Sequence, residues 1–119
     1  MIDAIPSKVK VLHRDWKIIE KSIEDFAIDR KLGSANFIKA EIDFIDNGGS
    51  DPVDTIVHEL THVIYGMFDL GNGGDETSDE EEHLVRTIST GIVTVMRDNP
   101  ELFPALQDIL NEAATPTGD

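Results

Sequence analysis

Two histidines stand four residues apart in "DTIVHELTHVIYG", residues 54–66, with a glutamate directly after the first. Imidazoles at His58 and His62 suit a divalent ion, and Glu59, beside the first, can act as a base towards a water held there. The chain has no cysteine, which removes thiolate ligands, thiol nucleophiles and disulfides together. A metal centre here must use imidazole and carboxylate, the ligand set of catalytic rather than structural zinc. Catalytic zinc usually takes three protein ligands, so one more is needed. The competing reading is two surface histidines that happen to share a helix face.

Chemistry of this kind requires both rings on one side of a helix. Asp51 suits the cap, Pro52 the first helical position, and Asp54 the acid-favouring first turn. The helix is expected to run to about Phe68. At about 100° per residue, Val53, Ile56, Val57, Leu60, Val63, Ile64 and Met67 gather on one side as the core face. His58 and His62 fall roughly 40° apart, nearly opposite the centre of that stripe, on a face the core has not claimed.

The candidates for the third ligand are the glutamates that open a second helix, and His83. Ser78-Asp79-Glu80-Glu81 spells a capping box, with serine as the cap and Glu81 reaching back. The helix continues through "EHLVRTISTGIVTVMRD" and stops at Asn99-Pro100. Glu81 lies nearest the centre of its apolar stripe (Val85, Ile88, Ile92, Val95), but the cap employs it. Glu82 lies at the stripe's edge without that duty, and Ser89, seven residues on, is small enough for close helix approach. His83 points away and reads as solvated. Glu82 is the preferred third ligand, with Glu81 as the alternative.

The remaining elements form a frame for these helices. Val9, Val11, Ile18 and Ile19 fit strands interrupted near Arg14-Asp15 as a hairpin. "SIEDFAIDRKLG" reads as a short helix closed by Gly33, with strand as a competitor, and "AEIDFID" as a strand ended by "DNGGSDP". Pro100 is expected to start a third helix, "PELFPALQDILNEA", and residues 115–119 to fray. Trp16 and Phe103 read as packing residues. The acidic, glycine-rich stretch "DLGNGGDETSDEEE" fails the spacing of a calcium loop and reads as a mobile loop beside the site. The expectation is one α+β domain over 1–119, mainly sheet over 1–50 and mainly helical over 51–114.

The formal net charge of −14 disfavours nucleic acid and anionic lipid surfaces as partners. No apolar run has the length of a membrane span or the form of a secretory signal, so a cytoplasmic location is expected. Oligomeric state stays open.

"HELTH", followed about twenty residues later by a glutamate at the start of a helix, resembles the zincin metallopeptidases, specifically the gluzincin branch. The continuation "EHLVRTISTGIV" looks like the ImmA/IrrE-type peptidases and small phage-encoded relatives. Their pattern is a glutamate, an apolar or small residue three on, then a bulky-small pair at six and seven. Glu82, Val85, Ile88 and Ser89 fill it, and "VMRDNPEL" also looks like the small phage group. The resemblance is specific from about Asp51 to Leu102.

It implies a minimal zincin-like fold: a short N-terminal β-sheet, an active-site helix, a glutamate helix and a C-terminal helix. It also implies Zn2+ held by His58, His62 and Glu82, Glu59 as general base, and hydrolysis of a protein or peptide substrate. Tyr65, His83 and His13 are further candidates near the oxyanion, each read as structural or solvated. A chain this short has no room for a large second subdomain, so the cleft should be shallow. That leaves two other readings: a non-catalytic zincin-fold interaction module, and an anti-repressor-like protease with one protein target.

Overall fold

The computed structural model describes residues 5–22, 24, 31–46, 51–68 and 78–114. Among the described residues the fold is α+β, with a four-stranded sheet followed by three helices. The strands are β1 (Lys8–Val11), β2 (Arg14–Lys21), β3 (Gly33–Asn36) and β4 (Glu41–Ile45); the helices are α1 (Asp51–Phe68), α2 (Asp79–Asp98) and α3 (Leu102–Ala114).

The sheet order is β1-β2-β4-β3. Hairpins join β1 to β2 and β3 to β4, and parallel pairing of β2 with β4 (Ile18↔Ile42, Glu20↔Phe44) joins the two hairpins. The first hairpin turns at Leu12-His13, two residues earlier than expected, so Arg14 and Asp15 belong to β2. Leu12 adopts φ 57°, a left-handed conformation usually left to glycine or asparagine, and for that reason the sequence carries no turn signal there. Ala40, at the end of the second turn, has φ 55°. There Asn36 steadies the chain, its side-chain oxygen accepting from the Lys39 N–H at 2.9 Å.

Alternation along β4 places Ile42 and Phe44 on one face, both buried. Ile42 joins Val11, Trp16, Ala40 and Val63 of α1 in the core, with Ala35, Phe37, Leu60 and Met67 packed around them. Trp16 is fully buried, meets the edge of Phe37 at 5.1 Å and lies under the Arg14 guanidinium at the same distance. Phe103, expected to pack, is instead exposed, as is every residue from Leu102 to Ala113 whose side chain is described in α3. That helix begins two residues after Pro100.

On α1 the core face is narrower than the helical wheel suggests. Val63 is fully buried and Leu60 and Met67 are half-buried, whereas Val53 and Ile64 are exposed. A similar shift occurs on α2: Val85, Ser89 and Val93 are buried, while Ile88, Ile92 and Val95 face outward. The buried position of Ser89 fits its expected role of permitting close approach to α1.

Gly33 opens β3 rather than closing a helix, and the rest of the helix expected over residues 22–33 falls largely outside the described residues. A Cβ at Gly33 would meet the Thr55 methyl group and lie 2.8 Å from the Asp43 carbonyl oxygen, with the Glu59 side chain 3.4 Å away. Glycine therefore allows β3 to lie against α1. Gly33→Ala is expected to destabilise the protein by roughly 1–3 kcal/mol, the usual cost of overpacking, in a denaturant melt. A melt matching wild type would show that β3 and α1 are not held at this separation.

Candidate metal centre

The site lies where α1 meets the N-terminal end of α2, beneath β3. The histidine face of α1 is covered by α2, in line with the close approach expected of that helix: His62 is 7% exposed and His58 is half-buried. Their rings stand 4.9 Å apart at 69°. One helical turn separates them, so the backbone aligns them without loop contributions.

The start of α2 fixes the carboxylates. Ser78 caps the helix in an extended conformation, its Oγ accepting from the Glu81 N–H at 3.0 Å, and its carbonyl accepts from the Glu82 N–H at 2.9 Å. The capping box is only half made. Among the described residues no bond joins the Glu81 carboxylate to the Ser78 N–H; instead Glu81 Oε2 lies 2.9 Å from His62 Nδ1.

Glu82 projects between the two rings. Its Oε1 lies 3.0 Å from His58 Nε2, and its Oε2 lies 3.0 Å from His62 Nε2. The three groups each offer a ligand atom, all within 4.8 Å of one another. Tetrahedral zinc with bonds of about 2.0–2.1 Å would set its donors roughly 3.3 Å apart, so these residues could hold a metal ion once the widest-spaced donors draw closer. Glu81 reaches the other nitrogen of His62, on the side away from that convergence. His83 is exposed, as expected, and His13 is exposed on the β1–β2 turn. Tyr65 is half-buried on α1. Residues 69–77, which include most of the expected mobile loop, lie outside the described residues, as does the tail at 115–119.

Glu59 shares two adjoining hollows with these groups. One, of about 240 Å³, is walled by β3 residues Gly33, Ser34 and Ala35 and contains His58, His62 and Glu82. The other, of about 640 Å³, opens past Asp54, Thr55 and Arg86. The cleft is therefore shallow and open, bounded by an edge strand and two helices.

Burial governs the protonation of the site. Desolvation raises the Glu59 carboxyl from 4.5 to about 7, with Glu82 and Asp43 adding repulsion and His62 and Lys31 opposing it. Burial also lowers the pKa of His58, assisted by His62 and opposed by Glu82, and so favours the neutral, ligating imidazole.

Compared with known proteins, the chain matches no family model, no curated protein and no solved structure.

The Glu59 shift has a measurable consequence in protein freed of metal by chelation. A carboxyl whose pKa rises from 4.5 to about 7 holds its proton more tightly when folded. Its stabilising contribution is complete below pH 4.5 and is lost as pH rises through 7. Glu59→Gln is neutral throughout, so at about pH 8 it should exceed wild type by roughly 1–3 kcal/mol, with little difference at about pH 4. Parallel denaturant titrations at the two pH values measure this. Equal stabilities at the higher pH would place Glu59 in water.

Proposed function

We propose that the protein is a zinc-dependent metallopeptidase of the zincin type, its metal held by His58, His62 and Glu82. The observation that carries this reading is the convergence of both Nε2 atoms on one Glu82 carboxylate at 3.0 Å, beside a half-buried Glu59. Structural ion pairs between histidine and glutamate need no third acidic neighbour. A base poised near neutrality in the same cleft is what hydrolysis requires.

A zinc ion held by these residues would supply Lewis acidity and lower the pKa of its water towards ~7. Glu59 then has two tasks: to accept the proton of the attacking water and to pass a proton to the departing amine. Partial desolvation raises the Glu59 pKa in the metal-free site, and the charge of a bound ion would bring it down again, towards the ionised form that accepts a proton. The open cleft is suited to an exposed or extended segment of another protein, since the hollows among the described residues that hold Glu59 open to solvent. Net charge favours cationic segments over anionic ones. Among the described residues no helix is long and apolar enough to cross a membrane.

Purified protein is expected to hold about one zinc per chain. His58→Ala, His62→Ala and Glu82→Gln should each weaken binding strongly, whereas Glu59→Gln should retain the metal, as measured by equilibrium titration. Zinc-loaded wild type added to a cell lysate should create new protein N-termini that Glu59→Gln does not. Stoichiometric zinc in the His58→Ala, His62→Ala double variant would overturn the metal site. Identical N-termini from wild type and Glu59→Gln, with zinc bound in both, would leave a metal-binding interaction module as the better description.

A further inference from the structure

Glu81 occupies a place where a carboxylate is costly. It lies on the line of α2 that continues through Val85, Ser89 and Val93, the buried side against α1, and is itself only 8% exposed. A buried carboxylate persists where a donor compensates its lost hydration. The donor here is His62 Nδ1, at 2.9 Å. The neighbouring Glu82 reaches the other nitrogen of the same ring at 3.0 Å. His62 is thus held between consecutive residues of one helix.

A neutral imidazole has one N–H and can donate to only one of these two carboxylates. Their surroundings differ. The Glu82 side chain is 34% exposed, open to water, and lies 3.5 Å from the Arg86 guanidinium. That of Glu81 is 9% exposed and has little access to water. The N–H gains more where water cannot substitute for it, which is on the Glu81 side.

We infer that Glu81 is a positioning residue, whose buried carboxylate keeps the His62 proton on Nδ1 and turns the Nε2 lone pair towards His58 and Glu82. The inference deepens the metal-centre reading proposed above and rests on it for its purpose. It accounts for two features that a simple helix cap leaves unexplained: the side chain's departure from Ser78, and the presence of a carboxylate in an apolar stripe. Glu81 does not touch the site centre; it acts through His62. The orienting contact comes from the residue beside the proposed ligand, so the same helical turn supplies both the anion and the orientation of its neighbour.

The test uses the ring nitrogens of His62 in full-length 15N-labelled protein, freed of metal by chelation and buffered well above the usual imidazole range. In wild type the long-range 1H–15N spectrum should show Nδ1 protonated and Nε2 bare. Glu81→Ala, which keeps the backbone cap to Ser78, should move the proton to Nε2. It should also weaken zinc binding about 10- to 100-fold in competition with a chromophoric chelator. Glu81→Gln retains an acceptor oxygen, so it should keep the proton on Nδ1 and lose less affinity. A wild-type ring protonated on Nε2, or an unchanged ring pattern in Glu81→Ala, overturns the assignment. The spectra contain neither metal nor substrate, so their outcome is separate from that of the cleavage experiment.

Discussion

The site depends on a single carboxylate spanning two imidazoles across a helix–helix interface. Glu82 can meet both Nε2 atoms at 3.0 Å only if α2 lies close along α1 with its first turn level with His58 and His62. Small and medium side chains make that approach possible, since Ser89 and Val93 are buried where bulkier residues would hold the helices apart. Ser78 fixes the level, because its cap decides which residue begins the helix and therefore where Glu81 and Glu82 point. Position along the chain, small-residue packing and cap chemistry converge on one requirement. Three donors must stand close together without water between them.

The sheet serves the same requirement from the other side. Edge strand β3 passes over α1 closely enough that Gly33 leaves no space for a methyl group, and it walls the cleft beside Glu59. Removal of water there raises the Glu59 pKa and lowers that of His58. Neither shift needs a dedicated charged partner: burial is the largest cause of both. The same enclosure that raises the Glu59 pKa also favours the neutral form of His58.

Local signals made the helices and their chemistry legible from sequence. Asp51-Pro52, Ser78 and Asn99-Pro100 mark boundaries through caps and missing N–H groups, and the spacing of His58 and His62 needs only helical geometry. In the sequence Glu82 is preferred over Glu81 on the ground that the cap employs Glu81, yet the Glu81 carboxylate meets His62 instead, so that ground does not hold. Longer-range features were not legible. Leu12 forms a turn in a left-handed conformation that its side chain does not advertise, and Gly33 reads as a helix stop when its purpose is close approach to α1. A helical wheel shows a broad apolar stripe on α2 but not which half meets a neighbour, so Ile88, Ile92 and Val95 were assigned to the wrong side. The His62 contact of Glu81 had a signal, a carboxylate at the centre of an apolar stripe, but capping accounted for it equally well.

The placement of β4 between β2 and β3 has a consequence for the order of assembly. Each hairpin closes over a short turn, Leu12-His13 in one case and residues 37–40 in the other, so each nucleates with little loop entropy to overcome. The parallel seam between them pairs residues separated by 24 positions, as in Ile18↔Ile42, and its longer loop must close before any of its bonds form. Site geometry draws on both sides of that seam, since the core beneath Val63 of α1 combines Val11 and Trp16 of the first hairpin with Ile42 of the second, and α2 packs on α1. On loop-closure grounds the cleft is therefore a late product of folding. Chains that have formed only their hairpins and helices align His58 with His62 on α1 but leave Glu82 without its place beside them.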